Sequence, residues 1–517
     1  MRDFLIALSL ANLFFLRAWE RALFGLYPDD FKPEATTVAM LVLILAVVFR
    51  LGWQLVRSSA RLVVFARISF LLLLLVPANA LRLYYQITFR YSHANRYDWV
   101  VYLILAIAAV ITLFAGLTGR LKLSALVRCG IVLTLVLAPF LLFTFGSAVR
   151  TTYHRLINQE RQKIALLGIA TPFPAAPSAD WTEPGQKRPR VVWIIFDELD
   201  ERAAFTERPA SVSLPELDRF RRESFVTTSA YPPGSSTMQS IPALLNGREV
   251  TAATASDELL SIWQKDQTGP VAWSAPMTIF REAGAAGLKT GLVGTFFPYC
   301  ATHGSVITDC RDFHTRKSWH ARVSATVLTT LEAVPFAYRL FIKGRTFDRR
   351  IERYEFVIHN GSEMAADPKL DLVYLHFPFP HPPGVYDRES GHLDVSKRHS
   401  YLDNLALTDV SFGVLRKAME QTGVWRQSVV IVSSDHWWRT EGWQNHSDWT
   451  EEEGREVAGR PLDHRIPFMV KLAGSERPMV FERPFNTLVT RRVVMALLHG
   501  HLSTNKDLAQ LLEESAE

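Results

Sequence analysis

Cysteine is scarce in this chain, with three residues in 517. No CxxC pair occurs, which excludes a zinc module built on cysteines. Cys129 opens a hydrophobic run and reads as a packing residue, while Cys300 and Cys310 bracket the loop ATHGSVITD. In a cytosolic domain that pair would mean little; in an exported one it forms a local disulfide. Charge of one sign is also in short supply: 57 basic against 51 acidic residues leave a formal charge of +6. Much of the excess lies between hydrophobic runs, so it reads as membrane orientation and argues against nucleic acid as a partner. Internal repeats and low-complexity tracts are absent, so neither organises the chain. No small-residue cleavage site follows the first apolar run, which therefore reads as a retained helix and not a removed signal peptide.

Apolar residues are abundant, 48% of the chain, but unevenly spread. Five segments before Arg150 each approach the roughly 20 residues that cross a bilayer core. They run over Phe4 to Phe24, Thr37 to Leu55, Leu62 to Leu81, Val100 to Leu117 and Cys129 to Ser147. Arg50, Arg57 and Arg61 in the second connection, and Arg120, Lys122 and Arg128 in the fourth, place those connections in the cytoplasm. The first connection, with Asp29, Asp30 and Glu34, is acidic; the third, with Arg82, Arg90 and Arg96, weakens the contrast. Five crossings from a cytoplasmic N-terminus put everything after Arg150 outside. The expected organisation is a transmembrane domain over 1–149, an interfacial segment and linker over 150–189, and an extracytoplasmic catalytic domain over 190–517. Residues 150–170 mix basic residues with an apolar stripe, and read equally as an interfacial helix or as a continuation of the fifth span. The prolines at 172, 174, 177, 184 and 189 make the next stretch a stiff spacer.

From Arg190 the pattern becomes α/β. Val191–Phe196, Leu288–Gly294, Leu370–Leu375, Val429–Ser433 and Pro467–Leu472 read as buried strands, with helices at Ile279–Gly284 and Tyr401–Thr422. Alternation of this kind predicts a mostly parallel sheet covered on both faces. Such sheets carry their sites beyond the carboxyl ends of the strands. There stand Asp197-Glu198, His376 and then His381, and Asp435-His436, with Asp463-His464 just ahead of the last strand. In YPPGSSTMQSIPALLNGR, Thr237 precedes a short helix that Gly247 would end. A hydroxyl there ordinarily caps the helix. It is also where an attacked phosphate or sulfate would meet free N–H groups. Acids, imidazole and hydroxyl together suit a divalent cation, Zn²⁺ or Mn²⁺ more than Mg²⁺. Such an ion would acidify the Thr237 hydroxyl.

The order of these pieces resembles the alkaline phosphatase/sulfatase superfamily: an acid after the first strand, the ALLNGR helix, IFREAGAAGLKTGLVG, LVYLHFPFPHPP, IVSSDH and HRIPF. Sulfatases carry a Cys or Ser in C/S-x-P-x-R, which Thr237-Met-Gln-Ser-Ile-Pro242 does not match. T-x-x-S-[VI]-P instead resembles the bacterial phosphoethanolamine transferases, which share five transmembrane helices and an exported catalytic domain with the lipoteichoic acid synthases. The resemblance implies Thr237 as nucleophile and Glu198, Thr237, Asp435 and His436 as metal ligands, with Asp197 as an extra one. It makes His381 a phosphate contact and His464 the late site histidine, a role for which His446 competes. Where those transferases read Gly-Glu and Asp-His-Gly-Glu, this chain has Asp197-Glu198 and Asp435-His436-Trp437-Trp438. The two tryptophans read either as a sugar platform or as packing. The implied reaction moves a phosphoethanolamine- or phosphoglycerol-type head group from a membrane lipid to an envelope glycan or lipid, on the outer face of a bacterial inner membrane. The alternatives are an exported hydrolase of phosphodiesters or sulfate esters, and a non-catalytic envelope scaffold or sensor.

Overall fold

The computed structural model describes residues 2–19, 34–81, 123–153, 189–256, 259–265, 267–313, 319–334, 345–395, 397–444, 449–474 and 477–515. The chain divides into two compact units, Met1–Leu166 with Thr315–Thr346, and Leu167–His314 with Phe347–Glu517.

The first unit is helical. Two described helices, Ala35–Val56 and Ala60–Leu81, are long and apolar enough to cross a membrane. A bent pair, Leu123–Val136 and Phe140–Tyr153, makes a third if counted as one span. Five spans are therefore not clearly present among the described residues. The expected fourth span, Val100–Leu117, and most of the expected interfacial segment and linker, from residue 154 to 188, lie outside them. The 41° bend has a local cause: Pro139 sits at the break and brings no N–H to the carbonyl of Leu135. Among the described residues, buried polar side chains of this unit are paired, as low-dielectric packing requires. Thr144 Oγ1 donates to Asn12 Oδ1 at 3.0 Å and Trp19 Nε1 donates to the same oxygen at 2.9 Å. The helix Trp319–Glu332 also belongs here, with Arg322 Nη1 donating to the buried Glu34 carboxylate at 2.5 Å. Nothing in its sequence sets that helix apart from the α/β region.

The second unit is built on a nine-stranded sheet. Its strands are β1 (Arg190–Phe196), β2 (Phe225–Tyr231), β3 (Thr290–Gly294), β4 (Asp309–Asp312), β5 (Leu372–Phe377), β6 (Ser428–Ser434), β7 (Ile466–Lys471), β8 (Met479–Phe481) and β9 (Phe485–Asn486). The order is β8-β2-β7-β6-β1-β5-β3-β4, with β9 also on β2. All pairings are parallel except those of β7 with β6 and β2. The unit is thus an α/β domain on a mixed, mostly parallel sheet. Central β1 shows why: Val191, Trp193 and Ile195 enter one core cluster, and Val192, Ile194 and Phe196 the other. A strand with both faces covered has no polar face, so its sequence reads as a continuous apolar run.

Three helices flank the polar ends of this sheet: α1 (Pro215–Arg222), α2 (Thr237–Asn246) and α3 (Tyr401–Gln421). A capping box fixes the start of α3, where Ser400 Oγ accepts from Asp403 N and the Asp403 carboxylate accepts from Ser400 N. Cys300 and Cys310 form a disulfide.

Candidate active site

Register places the site. Phe196 of β1 lies opposite Ser434 of β6 and Phe377 of β5, so the residues just beyond all three strands emerge at one edge. Ser434 Oγ holds that edge together, 2.8 Å from Phe196 O and 2.7 Å from His436 O. His381 N donates to Asp197 O at 3.0 Å, which returns the Pro-rich loop after β5 to the same place. The Glu198 backbone has φ 64°, a conformation costly for a residue with a Cβ. It is held by Tyr401 Oη donating to Glu198 O at 2.8 Å and by Glu198 N donating to Asp435 Oδ1 at 3.2 Å.

Helix α2 brings Thr237 to this edge. Ser236 is extended and Thr237 is the first helical residue. The Thr237 hydroxyl is not spent on capping. It donates to Asp197 Oδ1 at 3.4 Å and lies 3.2 Å from His436 Nε2. The turn before it is tight: a Cβ on Gly234 would stand 2.8 Å from Gln239 Cβ and 3.1 Å from Ser240 Oγ.

Ligand atoms of Asp197, Asp435 and His436 lie within 4.8 Å of one another, and all three side chains are buried. His436 Nδ1 faces Trp437 O at 3.0 Å, so the proton sits on Nδ1 and the Nε2 lone pair points toward Thr237 and Asp197. Asp435 Oδ1 accepts from two backbone N–H groups, of Glu198 and His436, whereas its Oδ2 is buried without a hydrogen-bond donor. Glu198, expected among the ligands, is placed differently. Its carboxylate accepts from Arg439 Nε at 2.7 Å and from Trp443 Nε1 at 3.1 Å.

The charges agree with this division. Burial alone would raise the Glu198 pKa, but His381, Arg439 and His436 hold it below the usual carboxylate range. Asp197 is pushed well above that range, first by burial and then by Asp435 and Glu198. Burial also drives His436 down to about 3, so its imidazole is neutral. With Glu198 matched to Arg439, two buried carboxylates and a neutral imidazole remain. That donor set fits a divalent cation in both charge and chemistry.

The histidines separate. His381 stays at the edge: Nδ1 faces Pro382 O, Nε2 lies 3.4 Å from Arg439 Nη2, and burial lowers its pKa. His376 is fully buried on β5, with Nδ1 2.7 Å from Tyr299 Oη, and burial lowers it to about 4. His464 is exposed and stacks on Trp437 at 4.0 Å. His446 lies outside the described residues. Trp438 is buried and stacked on Tyr401 at 4.1 Å, so of the two tryptophans it packs. Arg439, Trp443 and Tyr401 are site residues that the sequence motifs do not single out. A cation three residues after Asp435-His436 is a signal for the first; the other two have none.

A hydroxyl at a helix start thus stands against two buried carboxylates and an imidazole at parallel strand ends, a donor set that fits a divalent cation. Residues 189–495 match the Sulfatase family, and the chain belongs to that family. Members of that family are enzymes that use a divalent metal. No curated protein sequence matches. Among solved structures, Ps i-CgsB in complex with k-i-k-neocarrahexaose is 14% identical, covering 64% of this chain and 78% of its own, with a TM-score of 0.43. The lipoteichoic acid synthase LtaP from Listeria monocytogenes is 13% identical over 60% and 72%, with a TM-score of 0.38. The phosphonate monoester hydrolase of Agrobacterium radiobacter is 14% identical over 63% and 78%, with a TM-score of 0.39. At these identities the likeness assigns no activity.

Proposed function

We propose that this protein transfers a phospho-head-group, of phosphoethanolamine or phosphoglycerol type, from a membrane lipid to an envelope glycan or lipid through a covalent ester on Thr237. The observation that carries the reading is the Thr237 hydroxyl, free of any capping role and set against Asp197 and His436. Asp197, Asp435 and His436 would hold a divalent ion, Zn²⁺ or Mn²⁺ by donor type, which supplies acidification of that hydroxyl and neutralisation of phosphoryl charge. Thr237 Oγ forms a bond to phosphorus as the bond to the diacylglycerol oxygen breaks, and the Thr237 proton, which faces Asp197 Oδ1 at 3.4 Å, passes on to the departing diacylglycerol oxygen. The free N–H groups of the first turn of α2 receive the phosphoryl oxygens. In the second step an acceptor oxygen attacks, the Thr237 ester breaks, and His381 Nε2, neutral at physiological pH, takes the acceptor proton. Pro382 O, accepting from Nδ1, and Arg439 Nη2, 3.4 Å from Nε2, orient that imidazole.

The apolar helices keep the domain beside its lipid donor, raising its effective concentration. The Lys/Arg bias of the connections supports five crossings, an inner-membrane location and a periplasmic catalytic domain. Intact-mass measurement after incubation with membrane lipids tests the chemistry. The wild type is expected to gain one phospho-head-group, and Thr237→Ala none. Head-group release by Thr237→Ala at the wild-type rate would overturn the covalent route. Diacylglycerol release with and without a glycan acceptor separates transfer from hydrolysis.

A further inference from the structure

A polar cavity lies at the end of the sheet opposite the candidate active site. It occupies about 410 Å³ where β6 begins and β7 ends. β6 spans seven residues, so the cavity stands about 20 Å from Asp435 at roughly 3.3 Å per residue. Its lining is cationic. Arg219 and Arg222 come from α1, Arg416 from α3, Arg426 from the turn before β6, and Lys471 from the end of β7. Among the described residues only Glu223 and Glu420 oppose them, and both are already engaged. Arg416 Nη2 reaches Glu223 at 2.9 Å and Arg416 Nε reaches Glu420 at 2.9 Å, with Arg219 on the same two carboxylates. Arg222 and Arg426 are exposed and have no acidic partner among the described residues.

Two buried groups point to a missing ligand. Arg416 is 3% exposed, yet its Nη1 has no hydrogen-bond partner. Lys471 is 6% exposed; its ammonium donates to the carbonyls of Trp425, Ser428 and Leu472 at 3.0–3.1 Å and meets no carboxylate among the described residues. Burial lowers Lys471 to about 8. Arg416 and Lys471 also flank the Trp425 ring, at 4.6 and 5.2 Å from its centre. A buried cation without a counter-charge is costly, and an anion in the cavity removes that cost. Across the cavity Asn505, 5% exposed, keeps Oδ1 without a donor.

We propose that this cavity is a binding site for a small hydroxyl-bearing phosphoryl ester. Arg416 Nη1, Arg222 and Arg426 contact the phosphoryl oxygens, Lys471 adds charge without contact, and Asn505 Oδ1 receives the hydroxyl. The proposal is independent of the chemistry at Thr237.

The test uses the full chain in detergent and reads the melting temperature during titration with inorganic phosphate, glycerol 3-phosphate, dihexanoyl phosphatidylglycerol or dihexanoyl phosphatidylcholine. Glycerol 3-phosphate is expected to raise Tm by about 3–6 °C at saturation, and to bind more tightly than inorganic phosphate. The shift persists in Thr237→Ala. Arg222→Ala/Arg426→Ala, which removes two exposed side chains and leaves the core intact, binds at least ten-fold more weakly. A response to the short-chain phosphatidylglycerol that the free esters do not match, and that the double variant loses, assigns the pocket to a lipid head group. Identical titrations in the wild type and the double variant, or no shift with any phosphoryl probe, overturn the proposal.

Discussion

At the scale of single residues, Asp435 shows what the site lacks. One of its oxygens is committed to two backbone donors, and the other is buried with no donor at all. Asp435→Asn keeps the first contact and replaces the second oxygen with an N–H pair, which cannot ligate a cation. Metal content, measured on the purified protein, is expected to fall to background, and turnover by at least about 100-fold. The melting temperature in chelator should not fall, because Asp197 loses a repelling neighbour. Glu201 gives a second prediction. Burial raises its pKa to about 7 from 4.5, against the hydrogen bond from Thr206 and the charge of Arg221. The folded state therefore holds a proton that the unfolded state has released between those values. This stabilisation is complete below about 4.5 and is lost as pH rises through about 7. Glu201→Gln stays neutral throughout. In urea titrations its stability relative to wild type should improve from pH 5 to pH 8. The gain is at most about 3 kcal/mol, because each tenfold fall in proton activity between the two pKa values is worth about 1.4 kcal/mol.

At the scale of elements, α2 depends on how it ends as well as on how it begins. Gly247 has φ 67° and its N–H returns to Ala243 O at 2.8 Å. A Cβ there is strained by the backbone and would also stand 2.8 Å from Arg491 Cδ. Gly247→Ala should cost about 1–2 kcal/mol, seen as a lower Tm, with little change in KM because Thr237 lies at the other end of the helix. This stop was legible, since glycine after a short apolar periodic run is a strong local signal. So were the buried strands: β1, β6 and β7 lie within a residue of where their apolar runs place them, and β5 is shifted by two. Strand β2, FVTTSAY, was not legible, because its threonines and serine mask a half-buried edge-side strand. The acids and imidazoles were legible as residues at strand ends. Their division was not: that Asp197 joins Asp435 and His436 while Glu198 turns to Arg439 depends on a positive φ at Glu198. Composition carries no signal for that. The helix Trp319–Glu332 was not legible for a related reason, its company being set by long-range contacts such as Arg322 with Glu34.

For the whole molecule, the cation site is a cross-link over sequence. Asp197 just after β1 and Asp435-His436 just after β6, with Thr237 opening α2 beside them, are brought together only when the sheet is complete. An ion bound there favours the folded α/β unit over the unfolded chain, where the ligands are dispersed, so the stabilisation grows with ligand concentration over Kd. Without it the folded unit must hold Asp197 and Asp435 together in a dry edge, and Asp197 responds by keeping its proton above the usual carboxylate range, through burial first and Asp435 second. Linkage gives the sign. Ion-free protein holds that proton in the folded state only, so its stability falls as pH rises above the ordinary carboxylate pKa. Ion-bound protein has already exchanged the proton for the cation and escapes this loss. Chelation should therefore lower Tm in the wild type, and the loss should be larger at pH 8 than at pH 5. Zn²⁺ or Mn²⁺ added back should restore it, and Asp435→Asn should show neither the loss nor the recovery. A chelator effect of the same size at both pH values would place the cation away from the Asp197–Asp435 pair.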